Sequence, residues 1–284
     1  MILDIFLDAL MDCLRDLPFL FAAFLLVEAL EHHVSEGMNR ALAEAGGLGP
    51  LAGALLGCVP QCGFSIMAAN LYAGDVIGLG TLLAVFLSTS DEALIILLSN
   101  PEKIKDVGAL LLCKIVIGIT AGYAIAAAEF LYRKKNNIVT RERHKNYDHN
   151  ECHVEEGGIL KPALRHTAEV IIFLFIVTFI LNLLLELIGM ENVSRMLLAD
   201  TVFQPVLSSF IGLIPNCAAS VILTQLYIDG VISFGSTIAG LCSSAGLGLL
   251  VLYRVNKNIR ENVGITALLL VISAAAGMIL QAIG

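Results

Sequence analysis

Apolar stretches long enough to cross a bilayer recur along this chain, and no other feature limits its fold so strongly. A helix needs about 20 apolar residues to cross roughly 30 Å of hydrocarbon. Such stretches read at 17–34, 76–98, 107–131, 167–189, 202–228, 231–252 and 263–283, with a Gly/Ala-rich stretch at 46–73. Of these, 107–131 reads as an uninterrupted span. A soluble chain of 284 residues would need more polar surface than this one has, at 57% hydrophobic and 15% charged residues. Lipid offers no hydrogen bonds, so segments like these satisfy their backbone internally as helices. An all-α polytopic membrane protein follows, and the lipid bilayer is its first partner. The net charge of −8 sits in loops and termini, and no basic patch with interleaved aromatics suggests nucleic acid.

The spans fall into two groups. Residues 132–165 form the one long hydrophilic segment, with Arg133, Lys134, Lys135, Arg141, Arg143, Lys145, Lys161 and Arg165. Residues 1–131 form a first membrane unit and 166–284 a second. A shift of 155 residues superposes Pro50 on Pro205, Gly57 on Gly212, Pro60 on Pro215 and Cys62 on Cys217. It also superposes Ser65 on Ser220, Tyr72 on Tyr227, Gly80 on Gly235, Ser88 on Ser243 and Glu31 on Glu186. Apolar composition would match Leu, Val and Ala by chance, but not two prolines, a cysteine and a tyrosine in register. The spans therefore read as two repeats.

Charge placement predicts that these repeats are inverted. The basic linker at 132–165 is expected in the cytoplasm. The connection holding Arg254, Lys257 and Arg260 is basic, whereas its counterpart offsets Lys103 and Lys105 with Glu102 and Asp106. Opposite orientations account for unequal charge if each half has three full spans and one Pro/Gly-broken membrane hairpin, giving about ten membrane helices.

The repeated signature is Gly57-Cys58-Val59-Pro60-Gln61-Cys62-Gly63-Phe64-Ser65 and Gly212-Leu213-Ile214-Pro215-Asn216-Cys217-Ala218-Ala219-Ser220. Proline inside an apolar span removes a backbone donor. The freed carbonyls are tolerated only where protein or a water-filled cavity meets them. Matched breaks in two repeats point to a midplane binding site.

These motifs, the repeated architecture and the His-containing linker resemble the ten-span heavy-metal exporters, also described as arsenic efflux permease-like proteins. Some members are labelled manganese transporters. The resemblance runs along nearly the whole chain and implies export of a metal or metalloid ion. The linker departs from the pattern in carrying no long His tract, only His144, His149, Cys152, His153 and, further on, His166. The first four form a candidate peripheral metal site, with a simple tether as the alternative.

Two ligand sets compete for a transported ion. Cys58, Cys62 and Cys217, with Cys242 as a further member, suit a thiophilic centre such as trivalent arsenic, zinc or copper(I). Asp91 and Glu92 with Asn70, Gln225, Ser88, Thr89, Ser90, Ser243 and Ser244 suit manganese or a similar divalent cation. Carboxylates within a span are costly and mark function. The polar residues around the breaks, Pro60, Gln61, Ser65, Pro215, Asn216 and Ser220, complete the expected substrate site. The ion is cargo, so no resident cofactor is expected, and a homo-oligomer is left open.

The leading reading is an efflux permease in the plasma (inner) membrane working by alternating access. A small-anion carrier using the two helix N-termini is the alternative, and a subunit that needs an ATPase partner is a further one. No phosphate-binding G-x-x-x-x-G-K-[ST] loop occurs. An intramembrane enzyme fits poorly, because Ser65 and Ser220 have no histidine deep in a span.

Overall fold

The computed structural model describes residues 47–59, 62–89, 93–99, 103–135, 203–215 and 217–283, together with isolated helical positions between 6 and 21 and between 164 and 183. No strand occurs among them. Pro50 and Pro205 open helices rather than break them. Each stands in the first two positions of its helix, α1 (Gly49–Gly57) and α6 (Gln204–Gly212). There a missing N–H costs nothing, because the first turn has no intrahelical acceptor for it. The interruption comes later. α1 is followed by α2 (Cys62–Ala73), and α6 by α7 (Cys217–Ile228). The gap after α6 holds Pro215.

α2 and α7 end in the same cap. The Val76 N–H bonds Leu71 O at 2.8 Å, and the Val231 N–H bonds Leu226 O at 2.8 Å. Each cap places one residue in the left-handed region, Asp75 (φ 58°) and Gly230 (φ 71°). A 6→1 bond of this kind closes a helix with a left-handed residue, which an Asp tolerates better than most non-glycine side chains. The chain then re-enters the bundle as α3 (Leu79–Ser88) and α8 (Phe234–Ser243). These are interrupted before α4 (Ala93–Ser99) and α9 (Leu247–Val255), and the long helices α5 (Ile104–Lys135) and α10 (Ile259–Ile283) follow.

Close glycine contacts give the directions. Gly49, Gly53 and Gly57 of α1 meet Thr81, Val85 and Ser88 of α3 in turn, so α1 and α3 run the same way. Gly118 and Gly122 of α5 meet Ala84 and Gly80, so α5 runs back along α3. The start of α5 therefore lies about 21 Å beyond Gly118 at 1.5 Å per residue, at the far end from the 74–78 turn. In the second half Gly277 of α10 backs onto Gly235 in the same antiparallel manner. Between apolar helices in lipid, this close backbone approach supplies the dispersion contacts that hold them.

The halves interlock. α9 lies along α2, with Gly248 pressed on the Ser65 backbone, and α7 lies along α4. Tyr72 at the end of α2 donates to Glu261 at the start of α10. Tyr227 at the end of α7 donates to Asp106 at the start of α5, 2.8 Å away. The 74–78 turn and residues 256–261 thus share one end of the bundle, while Lys103, Asp106 and the 229–233 turn share the other.

Three helical segments among the described residues are long and apolar enough to cross a membrane: Lys105–Tyr132, Phe234–Val255 and Ile259–Ile283. The first and last are mostly exposed, and Leu112, Val116, Val263, Val271 and Ile279 point outward along them. Phe234–Val255 is mostly buried, which makes α8–α9 a central element that shares its core with Leu82, Leu83, Phe86 and Leu223.

Candidate functional site

The helix interruptions come together in the interior. Gly57, beside the first, abuts Ser88, the last residue of α3. Gly212, beside the second, abuts Gly240 and Ser243 at the end of α8. Ser88, Ser243, Ser65 and Ser220 are all buried. Ser243 Oγ donates to Ser209 O at 2.7 Å and to Gly240 O at 2.9 Å, tying α8 to α6. Ser88 Oγ donates back to Ala84 O at 2.8 Å and Val85 O at 3.1 Å within its own helix. Such back-bonding accompanies the end of a helix and lets its axis bend.

Among the described residues, one cation lies inside this assembly. Lys114, on α5, is 1% exposed. Its Nζ donates to Thr89 O, just past α3, and to Leu241 O in the last turn of α8 at 2.8 Å. Its charge also reaches Cys58, in the turn after α1, and Cys242 of α8. Cys242, which is fully buried, lies within electrostatic range of Cys113 and Cys58 as well. An ammonium at the middle of a span costs about 2.5–3.5 kcal/mol on insertion scales, and Lys114, about a third of the way along Lys105–Tyr132, costs at most that. Two helix C-termini, each carrying a partial negative charge of roughly half an electron, offset that cost.

The reading of 107–131 as uninterrupted passes over Lys114. A single basic residue about a third of the way along a mostly apolar stretch is a signal the sequence does carry, and it marks the interior of the bundle here.

The expected site residues divide. Ser65, Ser88, Ser220 and Ser243 lie at or near the interruptions, with half-buried Pro215 and Cys58 beside them. Ser244, also buried, has no hydrogen-bond partner for its hydroxyl among the described residues. Asn70 is buried but lies two turns along α2, and its amide donates to Ile66 O at 3.0 Å. Gln225 does not join the site: it is exposed and donates to Asp229 at 3.0 Å, close to the end of α7. Cys62 and Cys217 stand at the first positions of α2 and α7. Pro60, Gln61, Ser90, Asp91, Glu92, Asn216 and the linker residues His144, His149, Cys152 and His153 lie outside the described residues. Among the described residues no three His, Cys, Asp or Glu side chains are close enough to hold a metal ion.

Two helix-end carbonyls and the buried Lys114 ammonium thus meet where interrupted helices converge, with the Cys58 and Cys242 thiols within electrostatic range. No curated protein and no solved structure matches the chain. The family model described as "Putative, 10TM heavy-metal exporter" matches residues 2–191 and 168–284. Those two matches extend over almost the entire sequence, and the chain belongs to this family of multi-span membrane exporters.

Proposed function

We propose that the protein exports a metal ion, manganese or another divalent cation, from the cytoplasm across the plasma (inner) membrane. It would do so by alternating access around the point where the helix interruptions meet. The observation that carries this reading is the convergence of Thr89, Leu241 and Lys114. Carbonyls released at broken helices coordinate cations in transporters built this way. Asp91 and Glu92 follow Thr89 by two and three residues in the sequence. With Lys114 they would leave the site a net negative charge, which favours a divalent cation over an anion. Ser88, Ser243 and the unbonded Ser244 hydroxyl supply hard oxygen donors of the type manganese takes.

The two halves act as inverted repeats in this proposal. In support, the bounds of α1, α2 and α3 recur 155 residues later in α6, α7 and α8. The exchanged bonds Tyr72–Glu261 and Tyr227–Asp106 also lie at opposite ends of the bundle. Arg254 and Lys257 share an end with the last turn of α5, where the basic linker begins. The positive-inside rule puts that end in the cytoplasm.

A second reading, export of a thiophilic metalloid, rests on the sequence set Cys58, Cys62 and Cys217. Flux into liposomes containing the purified chain, with manganese, zinc and arsenite offered singly, tests both. Manganese movement supports the first reading, arsenite movement alone supports the second, and no movement of any of them sinks both.

A further inference from the structure

Lys114 does more than fill the interior. The Leu241 carbonyl would ordinarily accept from the Ala245 N–H, but that N–H turns instead to Ser243 O at 2.9 Å. The interruption of α8 therefore leaves the Leu241 carbonyl to Lys114. Thr89 O lies just past the end of α3, and it too accepts from Lys114. The ammonium so occupies the negative ends of two helices, one from each half, at the place where an incoming cation would find the same carbonyls. Its position on α5 lets the side chain move without unwinding a helix, since the four-carbon stem of a lysine is flexible.

We infer that Lys114 is a tethered competitor for the cargo: its ammonium holds the Thr89 and Leu241 carbonyls in the empty protein and is displaced from them when a divalent cation binds. The inference rests on the proposed cation export and adds how bound cation is let go. A cation held against a resident positive charge is held loosely. Return of Lys114 to the carbonyls then completes its release on the exit side. The two charges exclude one another by Coulomb repulsion and by sharing acceptors, so no change of protonation is needed.

The test uses the full-length chain in detergent and in liposomes, with manganese as probe. Lys114→Gln keeps a donor for one carbonyl and removes the charge. It should bind manganese at least about tenfold more tightly than the parent, as loss of one like charge at close range implies, and should release it more slowly in efflux. Lys114→Arg, which keeps the charge, should bind no more tightly than the parent. A purely structural lysine predicts weaker or unchanged binding in Lys114→Gln, and that result overturns the inference while leaving cation export standing. A parent that binds neither manganese nor zinc removes both. Should Lys114→Gln not fold, saturating manganese on the parent must raise labelling of Lys114 by a small amine reagent, read by mass spectrometry. Unchanged labelling despite bound manganese also overturns it.

Discussion

Tyr227 donates its phenolic hydrogen to the Asp106 carboxylate at 2.8 Å, fastening the end of α7 in the second half to the start of α5 in the first. Lys103 closes over the Tyr227 ring, 4.4 Å from its centroid, and lies 3.9 Å from Asp106. At the opposite end Tyr72 makes the corresponding bond to Glu261, which also accepts from Asn258 at 3.1 Å. Among the described residues, each end of the bundle is therefore tied across the halves by a tyrosine and a carboxylate.

If alternating access opens one end at a time, these ties must break in turn. Tyr227→Phe should favour opening at the Lys103 end, and Tyr72→Phe opening at the Lys257 end. A hydrogen bond to a charged group contributes about 1.5–3 kcal/mol, so each change should shift the balance of open forms roughly tenfold or more. Accessibility of single cysteines at Gly74 and Asp229 to a thiol reagent measures it. Equal accessibility in parent and both variants would show that the ties play no part in gating.

The topology makes a separate claim. Lys103→Cys and Lys257→Cys, each in a chain otherwise free of cysteine, should react with an impermeant thiol reagent from opposite faces of the membrane, Lys257→Cys from the cytoplasm. Reaction of both from one face is incompatible with the inverted arrangement.

Glycine packing can be separated from glycine flexibility. A Cβ on Gly235 would come within 2.6 Å of Gly277 O and 2.7 Å of Gln281 N, backbone atoms that cannot step aside, while one on Gly264 meets nothing within 4 Å. Gly235→Ala should lower stability by about 1–3 kcal/mol through overpacking. Gly264→Ala should raise it by about 0.5–1 kcal/mol, as helix propensity alone implies. Thermal unfolding in detergent, followed with a dye that reacts with the buried Cys242 thiol, gives the ranking. Equal midpoints would mean the α8–α10 crossing is not held by that contact.

Much of the layout is legible before any coordinates, and the parts that are not share a cause. A hydrophobic span and a 155-residue shift are properties of many residues at once, so single exceptions do not blur them. Pro50 and Pro205 look the same in sequence as Pro60 and Pro215. Only the helix start behind Leu48 and Phe203 shows that the first pair begins a helix, whereas Pro215 lies in the gap after α6. Gln225 is a polar side chain in an apolar run, yet α7 turns it outward to Asp229, because facing depends on neighbours from the other half. Lys114 is hidden by the opposite effect, since one charge hardly alters the mean over a long apolar window. Its importance arises from Thr89 and Leu241, which are 25 and 127 residues away.

The choice between oxygen and sulfur ligands is the most consequential open contrast, and the described geometry sharpens it. The Thr89 and Leu241 acceptors of Lys114 are carbonyls, which carry no net charge, so the proposed divalent cation would take its charged partner from the carboxylates that follow Thr89, with Asp91 the first of them. Asp91→Asn should therefore abolish manganese binding. Cys58→Ser and Cys242→Ser together should change it by no more than a few fold, since a hydroxyl is an adequate ligand for a hard ion. A thiol-bound metalloid predicts the reverse, because oxygen does not replace sulfur around a soft centre. Titrations of the purified parent, the aspartate variant and the double serine variant with manganese, zinc and arsenite distinguish the two. Should Asp91→Asn bind all three as the parent does while the double serine variant binds none, the thiols around Lys114 are the cargo site and the carboxylate is not.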